Sequence, residues 1–207
     1  MIGGMFEDPA VYAIGTPRLT DGVMVARPWC PDDAPMLYGA ARESVLTVGQ
    51  WLPWLDSSYT RQHSERWIAD VQAHWRIRSE FPFGVFSADD GACLGGVGLN
   101  HINPMHRLAN LGYWVRAGAT GRGVASRAAR LAARFGLTDL KFGRIEILTA
   151  VDNRASQLVA IAVGAHFDAV LHDRLFHRGS WVSAHLYSLV RDDLPDLEAA
   201  IARRADR

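Results

Sequence analysis

The apolar pattern changes period twice between residues 108 and 151, and that change constrains the fold more than any other feature. Residues 108–115 read as a strand. From Val124 the apolar residues Val124, Ala125, Ala128, Leu131, Ala132 and Phe135 recur at helical spacing, with Gly136 near the end of the run. Residues 144–151 then return to a strand pattern. A strand–helix–strand crossover of this kind normally joins parallel neighbours. The chain is therefore expected to be α/β.

The flanking segments supply the rest of the sheet. A strand is expected over 23–26, closed by Pro28, and a helix over 32–43 with acidic residues in its first turn, where the dipole favours them. Residues 49–59 are irregular and aromatic. A helix over 64–79 places Trp67, Ile68, Val71 and Trp75 on one face, and core packing is the expectation for Trp67 and Trp75. Residues 83–87 and 93–102 read as a hairpin over Ala88-Asp89-Asp90-Gly91, and a second hairpin joins 167–176 to 181–190 over Arg178-Gly179-Ser180. Asn103-Pro104 marks a turn, and a short helix is expected over 156–163. The sum is a mixed central sheet of about seven strands flanked by helices.

No repeat, low-complexity tract or linker divides the 207 residues, so one domain is expected over 1–207, with 1–20 a loose lead-in and 193–207 a helical tail. The 22 basic and 22 acidic residues cancel, which removes any global electrostatic case for nucleic acid or an anionic membrane. Cys30 and Cys93 form neither a metal motif nor a disulfide framework, and no metal is expected. The start of the chain lacks a basic region followed by an apolar run, and no stretch approaches a membrane span, so a cytoplasmic protein is expected.

The chemistry is concentrated in Ala117-Gly118-Ala119-Thr120-Gly121-Arg122-Gly123-Val124-Ala125-Ser126, between the strand and the amphipathic helix. Glycines let backbone N–H groups approach a ligand, and a helix start adds unpaired N–H groups and the positive end of the dipole. Such a loop suits a phosphate or pyrophosphate, although a tight turn that binds nothing has the same appearance. A Walker A loop requires Lys after its last glycine, where this chain has Val124. A Rossmann fingerprint starting at Gly121 requires Gly or Ala at Ser126, and the expected acidic residue is misplaced at Glu146.

Thr120-Gly121-Arg122-Gly123-Val124-Ala125 resembles the acetyl-CoA loop of the GNAT superfamily, with Thr120 departing from the usual Gln or Arg. Leu111-Gly112-Tyr113-Trp114-Val115, Arg144-Ile145-Glu146, Asp152-Asn153-Arg154-Ala155-Ser156, Tyr187-Ser188-Leu189 and Trp51-Leu52-Pro53-Trp54 are similar, in that order, to segments of RimJ/RimL-type enzymes. The resemblance covers roughly residues 20–192. It implies a GNAT fold and transfer of an acetyl group from acetyl-CoA to a primary amine, either a protein N-terminus or a small molecule, by direct attack on the thioester.

The same resemblance implies the site. The amides of Gly121, Arg122, Gly123, Val124 and Ala125, with Ser126 close by, hold the pyrophosphate, and the backbone around Val115 meets the pantetheine arm. Asn153 and Ser156 lie near the pantetheine and sulfur, although each also suits a helix start. Arg127, Arg130 and Arg134 read as a solvated face, with Arg127 the one phosphate neighbour. The tyrosine that many members use as acid is Ala160 here, which leaves Ser156 or water. The glutamate that relatives carry two residues before Gly-Tyr-Trp is Asn110, which cannot take a proton. His101 is the first choice of base, ahead of Glu146, His172, Asp173 and His177, with an ordered water as a further route. Trp51 and Trp54 are the expected acceptor wall. A homodimer is left open. Departures at Thr120, Asn110, Ala160 and Ala165 keep a rival in play, a non-catalytic acyl-CoA-binding module that serves as sensor or partner-binding domain.

Overall fold

A computed structural model describes residues 17–205 of the chain. Eight strands form one sheet: β1 (Leu19–Thr20), β2 (Met24–Pro28), β3 (Phe81–Ser87), β4 (Cys93–Asn103), β5 (Leu108–Val115), β6 (Arg144–Ala150), β7 (His166–His177) and β8 (Ser180–Val190). Their order is β1-β2-β3-β4-β5-β6-β8-β7. Five helices flank the sheet: α1 (Ala34–Glu43), α2 (Arg61–Ile77), α3 (Val124–Thr138), α4 (Arg154–Val163) and α5 (Leu194–Ala205). The fold is mixed α/β, as the change of period requires. β5 and β6, which the α3 crossover joins, are the parallel pair, and every other pairing is antiparallel.

The eighth strand is β1, within the stretch expected to be a loose lead-in. Asp21 carries the turn into β2: its Oδ1 accepts from the Val23 and Met24 amides at 3.1 Å each, while Gly22 takes φ 85°. The rest of that lead-in, 1–16, and residues 206 and 207 of the tail lie outside the described residues. The helix expected over 32–43 starts as a 3-10 turn, Pro31–Asp33, before α1. Its acidic residue Asp33 is buried against Arg27, at 2.6 and 2.7 Å, rather than left to the dipole.

Each face of the sheet has its own core. On one face α3 presses Ala128, Leu131, Ala132 and Phe135 against Ala109, Leu111, Ile145 and Ile147, and Leu197 of α5 joins them. On the other, α1 and α2 bring Leu37, Ala40, Ile68 and Val71 against Trp29, Phe86 and Cys93. Trp75 is a packing residue as expected, with its ring edge-on to Phe81 and Phe83 and its Nε1–H donated to the Pro82 carbonyl at 2.9 Å. Trp67 is not core; it is 40% exposed. The arginine stripe of α3 is not a solvated face either. Arg130 is buried and donates to the Ala162 carbonyl of α4, and Arg127 forms an ion pair with Asp21 at 2.5 Å. The reason is tertiary, since α3 touches α4, α5 and the β1 strand as well as the sheet.

Pairing between β5 and β6 covers only Leu108↔Arg144, Ala109↔Ile145 and Asn110↔Glu146. Beyond that point β5 stays with β4 as far as Gly95↔Val115, while β6 stays with β8 as far as Ala150↔Ala184. The sheet therefore splits, and on its β6 side β5 from Leu111 to Val115 presents a backbone edge with no strand beside it among the described residues.

Candidate active site

The loop that leaves the split is pinned at its start and unpaired at its end. Ala117 donates its amide to Ser44 Oγ at 2.9 Å, Gly118 donates to Glu43 Oε1 at 2.5 Å, and Arg116 forms an ion pair with Glu43. The Arg116 guanidinium and the Gly118 N–H hold the Glu43 carboxyl below the usual carboxylate range. Gly121 and Gly123 then take φ of 73° and 74°, a left-handed conformation that favours glycine. Among the described residues, no acceptor meets the amides of Gly121, Arg122, Gly123, Val124, Ala125 or Ser126; the first amide bonded back is that of Arg127, to the Gly123 carbonyl at 3.1 Å. A Cβ on Gly121 would meet only open space. Six consecutive N–H groups without a partner among the described residues, at the start of a 15-residue helix, suit a pyrophosphate. Arg122 is exposed beside them.

Val115 ends the free edge of β5, and on the α3 face Tyr113 reaches across to α4. Its hydroxyl donates to the Ser156 carbonyl at 3.1 Å and lies 2.9 Å from Ser156 Oγ. Burial pushes the Tyr113 phenol up to about 12, against the opposing Ser156 hydrogen bond, so it stays a proton donor at working pH. Asn153 is the N-cap of α4, its Oδ1 accepting from the Ser156 amide at 3.0 Å. Ala160, within α4, is fully buried. Strand alternation puts Asn110, Gly112 and Trp114 on the opposite face. There Trp114 stands over Gly96, where a Cβ would lie 2.6 Å from its Nε1. Trp114 meets Trp54 edge-on at 5.9 Å, and with Leu37, Tyr59, His63 and Trp67 the two rings line a cavity of about 480 Å³, with Asp56 and Ser58 also in the wall.

The two tryptophans expected to act together thus part company. Trp54 lines the cavity, whereas Trp51 stacks on His177 at 6.5 Å and ties the 49–59 segment to the β7–β8 hairpin. His101 sits at the bulge that ends regular β4–β5 pairing, with φ 47° and an exposed side chain. His172 and Asp173 are exposed on β7. Among the described residues, no group of three His, Cys, Asp or Glu side chains could hold a metal, and no helix is long and apolar enough to cross a membrane.

The family model of the acetyltransferase (GNAT) domain matches residues 24–166, which span the free-amide loop, the split and the Tyr113–Ser156 contact. The chain belongs to the GNAT acetyltransferase family. This GNAT enzyme is 25% identical to the Bacillus subtilis (strain 168) protein YdaF over 78% of its own length and 87% of that protein. It is 26% identical to the ribosomal-protein-serine acetyltransferase of Escherichia coli (strain K12), over 75% of this chain and 86% of the relative. In fold it is similar to Mycobacterium smegmatis RimJ in complex with CoA-disulfide, with a TM-score of 0.77, 24% identity, and coverage of 93% of this chain and 94% of that one. Acetyl-CoA is the acyl donor of this GNAT enzyme, and an amine is the acceptor. The residue that sequence reasoning left without a role is Tyr113, although the strand that carries it was singled out.

Proposed function

We propose that this acetyltransferase acts on the free N-terminal amine of a protein, which enters from the α1–α2 face beside the Trp54–Trp114 cavity. The split between β5 and β6 carries this reading, because it joins the Tyr113–Ser156 pair on one face to the aromatic cavity on the other. The amides of Gly121 to Ser126 hold the donor's pyrophosphate, and the backbone edge ending at Val115 aligns its arm. Asn153 sets the start of α4, and the Ser156 hydroxyl gives its proton to the leaving thiolate. An acceptor approaching from the opposite face then meets the thioester carbonyl without crossing the donor. The E. coli relative, whose name places its substrate on a ribosomal protein, supports a protein acceptor. The cavity of about 480 Å³ has room for the first one or two side chains of such a terminus.

Calorimetry with acetyl-CoA, and with NAD and ATP as controls, tests the donor half; binding of acetyl-CoA alone is expected. Thiol release with hexapeptides bearing free or blocked N-termini tests the acceptor half. Turnover confined to free N-termini is expected, and turnover of small amines alone would overturn the protein-acceptor reading. Tight acetyl-CoA binding with no turnover of any amine would instead revive the non-catalytic module, which family membership does not favour.

A further inference from the structure

The last β5–β6 pair before the split is Asn110↔Glu146, which sets a carboxylate directly beside an amide at the fork. Both side chains lie on the acceptor face. Ile145 and Ile147 point into the α3 core, so Glu146 between them points the other way, as Asn110 does between Ala109 and Leu111. Glu146 is half-buried, and one of its oxygens accepts from Arg144 Nε at 2.8 Å, which leaves the second oxygen without a bond from the described residues. Asn110 donates its Nδ2 to Asn100 Oδ1 at 2.8 Å, while its own Oδ1 is buried with no partner. A buried, unpaired acceptor costs about 1–3 kcal/mol. Asn110 therefore stands at the fork as a fixed amide beside the Glu146 carboxylate.

We propose that Glu146, at the fork beside Asn110, is the proton acceptor of the reaction and reaches the incoming ammonium through ordered water. The fork lies three residues of strand, about 10 Å, below the level of Tyr113. The amine is thus deprotonated on one face while the leaving group is protonated on the other. Glu146 takes one ammonium proton and passes it to solvent. The nitrogen forms its bond to the acetyl carbon, the C–S bond breaks, and the nitrogen loses its second proton as the thiolate gains one to become free coenzyme A thiol. This assignment prefers Glu146 over His101, whose side chain is exposed at the bulge. The charged groups around Glu146 are Arg144 on its own strand and, on β7, Asp168, which pairs with Arg144, and His166, which pairs with Asp193. The β8 residue opposite, Ser188, is uncharged.

This inference rests on the reading of the chain as an acetyltransferase of free amines, and its test keeps the two apart. Glu146→Gln retains the oxygen that meets Arg144. Thiol release is followed from pH 6.5 to 9.5 with a hexapeptide bearing a free N-terminal serine and, in parallel, with glycinamide. Acetyl-CoA affinity and melting temperature are measured on the same samples. At pH 7 the variant is expected to lose roughly 100-fold in kcat/KM for the amine with unchanged acetyl-CoA affinity. The deficit is expected to shrink toward tenfold or less above pH 9, where an α-amine of pKa about 7.7–8.0 is already neutral. Asn110→Glu in the Glu146→Gln background, which moves the carboxylate one strand over, is expected to recover at least part of the rate. A loss that is the same at every pH, or no loss, overturns the role of Glu146 while leaving the acetyltransferase reading intact. Failure of the wild type to acetylate either amine overturns both.

Discussion

The Tyr113 hydroxyl donates to the Ser156 carbonyl at 3.1 Å and lies 2.9 Å from Ser156 Oγ, so a phenol from β5 holds the first turn of α4 across the open split. The phenol thereby restrains the Ser156 hydroxyl as well as the helix turn that carries it. Tyr113→Phe keeps the ring and removes this restraint. The expected result is a fall in kcat of about tenfold with little change in KM for acetyl-CoA, and a stability loss of about 1 kcal/mol. Placed on Ser156→Ala, the same change should lower kcat no further. Fully additive losses in the double variant would show that Tyr113 does not act through Ser156.

Gly123 is the N-cap of α3 at φ 74°, in the middle of six amides without acceptors. Gly123→Asp adds a negative charge where the donor's pyrophosphate has to sit, and acetyl-CoA affinity is expected to fall by at least about 100-fold. Gly123→Asn separates charge from backbone strain, since Asn tolerates the left-handed region. It is expected to cost about tenfold or less. Calorimetry on the two variants decides, and equal affinities for Asp and wild type would remove the pyrophosphate from this loop.

The parts that were legible in the sequence are those set by neighbours along the chain. The β5–α3–β6 unit and its glycine loop follow from spacing alone, and so do both hairpins read from their turns. The Asp21-Gly22 turn belongs with them, a short-range hairpin cue that went unread because β1 is only two residues long. What stayed hidden depends on residues far apart in sequence. Tyr113 and Ser156 are 43 positions apart, and each has an adequate local explanation without the other. Arg127, Arg130 and Arg134 have the spacing of an exposed stripe, and only tertiary contacts, Asp21 of the β1–β2 turn for Arg127 and Ala162 of α4 for Arg130, take them out of solvent. The pairing of Asn110 with Glu146 depends on parallel register, which no periodicity specifies.

Asp21 is 5% exposed and bonded to Arg127 at 2.5 Å, which fastens the β1–β2 turn to the first turn of α3. Burial pushes the Asp21 carboxyl up, but the Arg127 hydrogen bond and the Met24 and Val23 amides outweigh it and leave the carboxyl below its usual value. A carboxyl depressed in the folded state contributes stability above its unfolded pKa of about 3.9, and that contribution is lost as pH falls through the folded value. Asp21→Asn keeps the oxygen that caps the turn and leaves Arg127 without its counter-charge. Denaturant unfolding at pH 7 is expected to show a loss of about 3 kcal/mol, and the gap to wild type should narrow in acid as Asp21 protonates. Equal stability at pH 7, or a gap of the same size at pH 3, would contradict the linkage.

The cysteines bear on how turnover is measured, because transfer is followed through a new thiol. Burial pushes the Cys93 thiol up to about 11, so at pH 8 only about one part in a thousand is thiolate. Cys30 is half-buried and its Sγ–H donates to Asp33 Oδ2 at 3.2 Å. A thiol-reactive disulfide added to the folded enzyme at pH 8 is therefore expected to label Cys30 slowly and Cys93 negligibly. Both should react at once in denaturant. Cys30→Ser should abolish labelling of the folded protein, which would make released coenzyme A the sole source of signal. Rapid labelling of Cys93 in folded Cys30→Ser would mean that the α1–α2 face opens to solvent, and with it the wall of the proposed acceptor cavity.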